Sequence, residues 1–375
     1  MKRAALFLLL SLPAAAIEPY ALSCEARVNP AGIDTAQPRF GWKLKSTTDA
    51  ARQTAWQILA ATSLEKLSAN QPDLWDSGRV ASPESLWIPY AGKPLQAFQR
   101  VHWKVRVWDA AGRPTDSQPA SFLTALLDPA QWRGAWIVHP GTALRSGPLP
   151  LFRKQFDLDK PVRQAVVLVS GAGFHELRIN GAKVGDHVLA PAWTNYRASM
   201  LYETFDITAL LKPGPNALGV MLGNGFYNVA GGRYVKYNGS FGQPRLSLFL
   251  HLTFADGTTR DITTDTSWRV TGQGPIQEAD LLMGECYDAR REQAGWSRAG
   301  FDDSDWEAAI LARDNGRPTT TFYECHSPDA PDQAPQIKGR EVDLGFVRPK
   351  LEAFPGVRVR VTEAIAPVEV KEPAP

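Results

Sequence analysis

The sequence predicts an all-β chain: two successive β-sandwiches, with a leader in front and a Pro-rich tail behind. Short β-prone runs recur between turn-forming stretches, the longest of them alternate apolar and polar residues with period two, and no long amphipathic helical pattern competes. Composition points the same way. Twelve Trp, nine Tyr, sixteen Phe, 30 Gly and 29 Pro in 375 residues suit short strands, tight turns and aromatic platforms better than helical bundles. At 44% hydrophobic and 21% charged, the chain can bury the cores of two or three ordinary domains and is not disordered. The 41 basic and 39 acidic residues are spread along it, for a net charge of +2. That balance gives no nucleic-acid footprint and no membrane-surface patch, so neutral partners fit better.

Residues 1–16 read as a signal peptide. Lys2 and Arg3 precede the apolar run Ala4 to Leu12, and Ala14, Ala15 and Ala16 form an A-x-A cleavage site before Ile17. The run is too short to span a membrane, and no later stretch approaches the ~18 apolar residues that spanning requires. The expected location is therefore secreted or periplasmic. Cys24 lies well past the apolar run, with Leu22 wrongly placed for a lipid-attachment site, and reads as an ordinary buried cysteine. Cys24, Cys286 and Cys325 are widely spaced, show no C-x-x-C and have no His at ligand spacing, which argues against zinc. Cys286 and Cys325 are candidates for a bridge if their Cα atoms lie within ~7 Å.

Residues 17–128 read as a small sandwich of the immunoglobulin or fibronectin type III kind, with about seven strands. Trp56 to Ala60, Leu86 to Tyr90 and Val101 to Trp108 are its clearest β-prone runs. In the third, Trp103, Val105 and Val107 share one face, while Lys104, Arg106 and Trp108 take the other. The pattern restarts at Trp132, and residues 129–327 read as a larger, jelly-roll-like sandwich. Within it Asn180-Gly181 predicts a type I′ hairpin, because both turn residues must accept positive φ. Leu246, Leu248, Leu250, Leu252 and Phe254 predict one long strand, Asp256-Gly257 a turn and Arg260 to Ile262 the return. Asp206 to Leu211 predicts a short capped helical turn. Residues 328–375 are rich in Pro and charge and read as a linker, with Val357 to Val361 as one candidate strand.

Several blocks then resemble one family. Asn29 to Asp34, Pro38 to Trp42, Asp73 to Gly78 and Trp103 to Asp109 resemble the N-terminal fibronectin-like domain of bacterial α-L-rhamnosidases of glycoside hydrolase family 78. Ile179 to Gly181, Val184 to Asp186, Leu189 to Tyr196, Leu222 to Tyr227, Gly284 to Arg290, Gly295-Trp296 and Phe301 to Trp306 resemble that family's N-terminal β-sandwich. Phe226, where the family more often has Trp, and Cys286 are small departures. The resemblance implies hydrolysis of terminal α-L-rhamnose from rhamnosides. In the family the chemistry belongs to a later (α/α)6 barrel, where an acid and a base stand roughly 6.5–9.5 Å apart for inversion. That barrel's acidic motif is not found here, so no catalytic residue is assigned, and the expected partners are rhamnose-containing glycosides and a C-terminal rhamnosidase catalytic domain.

The resemblance also implies that the second sandwich is a candidate rhamnose-binding module, in some relatives with calcium. A neutral pyranose needs an aromatic face plus a few directed polar groups. Trp193, Asn195, Tyr196, Asn224 and Tyr227, with Phe226, offer both, although core packing and turn formation are the favoured account of them. Glu285, Asp288 and Arg290 form the densest charged motif and are further candidates, against the alternative of an ion pair holding an irregular loop. Asp302, Asp303 and Asp305 lack the spacing of an EF-hand, and Asp303 or Ser304 is expected to cap the turn bearing Trp306. No metal ligand is assigned, and calcium has no located site. His175, His187 and His251 stand alone in the sequence and read as surface or satisfied histidines. Three roles follow: the accessory portion of a rhamnosidase, a stand-alone carbohydrate-binding module, or a structural spacer without ligand.

Overall fold

In the long strand Arg245–Phe254, Leu246, Leu248, Leu250 and Leu252 are fully buried on one side, as period-two alternation requires. The computed structural model describes residues 17–49, 51–141, 148–196, 198–229, 239–280, 284–312, 319–323, 339–343, 350–356 and 358–366. The signal-peptide expectation, Cys325 and most of the Pro-rich tail fall outside them. The chain divides into two compact units, Met1–Leu127 and Asp128–Pro375. Among the described residues the regular structure is overwhelmingly β.

The first unit pairs a three-stranded sheet with a six-stranded one. Arg39–Lys45 lies between Glu18–Cys24 and Ile88–Pro89 in the smaller sheet. In the larger, Arg100–Asp109 lies between Gln53–Ala61 and Ala120–Thr124, with Ala31–Ile33 and Trp75–Asp76 at the edges and Pro114–Asp116 added to the central strand. Trp103, Val105 and Val107 face the core as their alternation predicts, and the Phe40 and Trp103 ring centroids stand 4.4 Å apart within it. Lys104 on the opposite face is also buried, its ammonium paired at 2.8 Å with Asp116, which also holds Arg106. Two features differ from expectation. The run Leu86 to Tyr90 yields only the short strand Ile88–Pro89, because Trp87 turns out of line at φ 58° and leaves its ring exposed. A helix that the apolar pattern does not announce, Leu64–Ser68, is capped by Ser63, whose Oγ accepts from the Lys66 amide at 3.3 Å.

The second unit is a sandwich of seven- and six-stranded sheets. One runs in the order Ile310–Leu311, Ile137–Val138, Arg245–Phe254, Val162–Ala172, Ser199–Asp206, Lys350–Ala353, with Thr259–Thr263 also on the long strand. The other runs Ala182–Lys183, His175–Ile179, Gly214–Leu222, Leu151–Leu158, Arg269–Thr271, Glu307–Ala308. Their facing rows, including Val167, Val169 and Leu248 from one sheet and Phe152, Leu177 and Val220 from the other, form one core. Asn180 and Gly181 both take positive φ, 51° and 90°, in the predicted hairpin. The outer face of the long strand is covered too. Trp132 donates its indole N–H to Ser247 Oγ at 2.9 Å and packs edge-on to Phe249, so both faces of that strand are dry near its start.

Two tail expectations are corrected. Val357 to Val361 is not a strand among its described residues; Arg358 and Val359 are irregular, and Arg360 makes an isolated bridge to His187. The strand lies upstream instead. Lys350–Ala353 pairs in parallel with Ser199–Asp206, so this part of the Pro-rich stretch belongs to the sandwich rather than to a linker. Prolines flank it but leave its ladder amides free to pair.

The charged loop at 295–306 is held by one buried cation. Arg153, 1% exposed, donates from Nε to the Trp296 carbonyl at 3.0 Å and from Nη2 to the Arg298 carbonyl at 2.9 Å, while Nη1 pairs with Asp303. The expected cap is corrected accordingly: Asp303 spends its carboxylate on Arg153, and Asp302 accepts from the Ser304 amide at 3.0 Å. Replacing Arg153 by Met keeps the volume but strands a carboxylate and two carbonyls. The expected loss is about 2–4 kcal/mol for this unit, seen as a lower urea midpoint; an unchanged midpoint would show the guanidinium to be dispensable.

Candidate functional site

Two tight turns build the exposed aromatic site. Gly173, at φ 123°, lies so close to the 223–225 turn that a Cβ on it would come within 2.0 Å of the Gly223 carbonyl oxygen. Only glycine fits there. The Gly223 amide donates to the Phe174 carbonyl at 2.6 Å, and Gly225 follows at φ 50°. Phe226 is thereby held edge-on to Phe174, centroids 6.4 Å apart at 82°. Its ring supports the indole of Trp193, stacked at 5.1 Å and 21°. Trp193 is 64% exposed, so an aromatic face braced from one side looks out to solvent.

The other predicted residues divide around this pair. Tyr196 and Tyr227 are buried, edge-on to each other at 5.2 Å, in a cluster with Met200 and Phe241. Their rings brace the fold under the loop and offer no stacking face; burial also pushes the Tyr196 phenol up. Asn195 is exposed, and its carbonyl accepts from the Ala198 and Ser199 amides, closing the loop after Trp193. Thr194 helps by donating to the Ser199 carbonyl at 2.7 Å. Asn224 is occupied internally. It donates to the Ala279 carbonyl at 3.0 Å and accepts from the Asn228 amide group at 3.0 Å.

Ala279 belongs to the hairpin Ile276–Asp280 with Gly284–Tyr287, where it pairs with Glu285. Asn224 thus ties that exposed hairpin to the turn carrying Phe226. Glu285 and Asp288 do not share a site through a strand. Asp288 follows the strand and caps the turn Ala289–Arg291, accepting from the Arg290 amide. The Arg290 guanidinium holds it at 2.8 Å and brings its carboxyl down to about 2, while Arg290 itself is 89% exposed. Asp302 is engaged by the Ser304 amide and Asp303 by Arg153. Among the described residues, Cys24 is a buried free thiol and Cys286 an exposed one.

A cluster that spacing does not reveal lies behind the loop. Glu203, 1% exposed in the strand Ser199–Asp206, meets His187 Nε2 at 2.8 Å and His175 Nε2 at 3.3 Å through one oxygen, and Arg358 Nε at 3.3 Å through the other. The histidines that stand alone in the sequence therefore converge in space. His251 is paired as well, with Asp261 at 2.7 Å. Burial by itself would raise Glu203, but the polar contacts and charge of His175 and His187 outweigh it and hold the carboxyl at about 2. The one sequence sign of this cluster is a Glu inside an otherwise β-prone run, Met200 to Phe205.

Known proteins share this architecture. Residues 160–327 match the family described as alpha-L-rhamnosidase N-terminal domain, and residues 19–128 match the Rha78A-like, N-terminal immunoglobulin domain. An alpha-L-rhamnosidase of Formosa agariphila is 35% identical over 311 residues, covering 75% of this chain and 32% of that protein. One from Alteromonas sp. is 34% identical over 299 residues, covering 76% and 32%. This chain spans about a third of the length of these curated relatives. The solved alpha-L-rhamnosidase from Dictyoglumus thermophilum superposes with a TM-score of 0.71 at 36% identity, covering 79% of this chain and 34% of that one. That of Streptomyces avermitilis, complexed with L-rhamnose, gives 0.72 at 26% identity, covering 79% and 45%.

The Glu203 cluster predicts an acid limit. The folded carboxyl, at about 2, lies below the ordinary 4.5. Its contribution is therefore complete above pH 4.5 and is lost as pH falls through 2. The difference in unfolding free energy between the native chain and Glu203→Gln should be on the order of 3 kcal/mol at neutral pH and shrink steadily below pH 4.5. A difference independent of pH across that window would remove the ionised carboxylate from the account.

Proposed function

Because this chain belongs to the α-L-rhamnosidase family as its N-terminal immunoglobulin-like and β-sandwich portion, we propose that it is the accessory region of a protein that hydrolyses terminal α-L-rhamnose from rhamnosides. In this reading the second unit holds a rhamnoside against Trp193. The acid and base of the reaction are proposed to lie in a rhamnosidase catalytic domain outside this chain, and the site of action outside the cytoplasm, reached through the leader at residues 1–16.

The observation that carries the sugar-binding part is the solvent-facing Trp193 indole supported by Phe226. A pyranose presents a C–H face of a size that matches an exposed indole braced from below. Asn195 is exposed two residues further along the same loop. A rhamnosidase similar to this chain has been solved with L-rhamnose, which makes that sugar the first ligand to try. A second reading, a structural spacer without ligand, draws on the burial of Tyr196 and Tyr227 and the internal engagement of Asn224.

Calorimetric titration of the full chain with L-rhamnose, with and without calcium, separates the two. Saturable heat that Trp193→Ala weakens roughly tenfold, equivalent to about 1.4 kcal/mol, is the expected result. Absence of heat at millimolar sugar in both buffers would leave the spacer reading.

A further inference from the structure

The loop bearing Trp193 is fastened at its start by the same carboxylate that fastens a segment far along the chain. Residues 186–188 lie against 358–360: the Val188 amide donates to the Val359 carbonyl at 2.9 Å, His187 bridges Arg360, and Arg360 Nε reaches Asp186 at 3.0 Å. Arg358 goes deeper. Besides pairing with Glu203, it donates from Nη2 to the Thr204 carbonyl at 3.1 Å, and its guanidinium stands 4.5 Å from the Phe205 ring centroid. The same Phe205 ring stacks with His187 at 5.2 Å and 14°. His175, the other imidazole on Glu203, donates its backbone amide to the Ala190 carbonyl at 2.7 Å. Three residues beyond Ala190 comes Trp193.

We propose that Glu203 couples the segment 358–360 to the Trp193 loop, so that release of Arg358 loosens the stacking of Trp193 on Phe226. Glu203 and Arg358 are positioning residues; neither reaches the exposed face of the indole. The physical ground is that two imidazoles and a guanidinium all approach one buried carboxylate, His175 and His187 at one oxygen and Arg358 at the other. Removing the guanidinium leaves Glu203 Oε1 without its cation and Phe205 without one of its neighbours. The imidazole of His187 is then free to re-orient, and the backbone from 187 to 190 follows it. Val188, hydrogen-bonded to Val359, loses its second hold when the segment leaves. A force or partner acting on the chain near residue 360 is thereby transmitted to the aromatic platform. The consequence for sugar affinity rests on the rhamnoside-binding reading above; the coupling itself does not.

The test is 19F NMR of the full chain labelled with 5-fluorotryptophan, the Trp193 resonance being assigned by its loss in Trp193→Phe. In Arg358→Ala that resonance is expected to move or broaden, while those of the first unit, Trp42, Trp56 and Trp103 among them, stay in place. Arg358→Lys, which keeps the charge, should restore it in part. Lys160→Ala, which removes a surface pair with Asp256 at 2.9 Å, serves as the control and should leave it unmoved. Glu203→Gln provides a second route to the same displacement. An unmoved Trp193 resonance in a folded Arg358→Ala protein would overturn the coupling. L-rhamnose titrated into the same samples reports on the other reading: affinity falling roughly three- to tenfold in Arg358→Ala, the scale on which such networks act, joins the two. No binding by the unmodified chain would sink the sugar reading and leave the coupling to be judged on the resonance alone.

Discussion

A carboxylate buried inside a β-sandwich is tolerated only when its neighbours replace the water it has lost, and Glu203 is the clearest case in this chain. Its two oxygens are shared among His175, His187 and Arg358, which arrive from a hairpin strand, a loop and a segment beyond residue 350. The Arg358 guanidinium would lose its carboxylate partner without Glu203. The cluster therefore constrains the path of the chain as well as contributing to stability. It decides where the loop after Val184 leaves the sheet and where the late segment returns to it. The parallel pairing of Lys350–Ala353 with Ser199–Asp206 brings Arg358 within reach of the strand that carries Glu203.

Arg153 plays the matching part on the other sheet. Three of its nitrogens are consumed by two carbonyls and Asp303, so an irregular stretch around Trp296 and Trp306 is laid against the sandwich without a strand ladder of its own. Glu203 lies beside core-facing Phe205, whereas Arg153, on the face opposite Phe152, is covered by the 295–306 loop itself. Both fix segments whose own sequence has too little periodicity to choose a position. Apolar alternation specifies the sheets, and buried ion pairs specify the loops that the sheets leave undetermined.

This division explains what could be read in advance. The strands around Trp103 and Leu248 and the Asn180-Gly181 turn were legible because alternation and positive φ are local properties, visible in a few consecutive residues. Trp193 was legible as an aromatic near turn residues. Its partner Phe226 was legible as a family departure and as one of several candidate aromatics, but not as the ring stacked on Trp193, since stacking across 33 positions leaves no local signature. Tyr196 and Tyr227 looked equally suited to a platform, and only burial distinguishes them from Trp193. The convergence of His175, His187 and Arg358 on Glu203 had no sequence signal beyond a charged residue in a β-prone run. Proline content was misleading at 350–353, because prolines beside a strand do not prevent the strand itself from pairing.

The contrast between Trp193 and the tyrosines beneath it bears on what the second unit is for. Tyr196, Tyr227 and Phe241 form a tilted and edge-on aromatic layer, the two tyrosines buried and Phe241 partly so. Such a layer stiffens the floor under the loop, and a stiff floor lowers the ordering cost that a ligand would otherwise meet on binding. Among the described residues of this neighbourhood, Trp193 is a large ring held in place from below yet open above. A purely structural role would be served better by an indole turned inward, where its burial would contribute on the order of 2 kcal/mol or more. The outward-facing indole is braced by Phe226, and Thr194 and Asn195 close the loop that follows it.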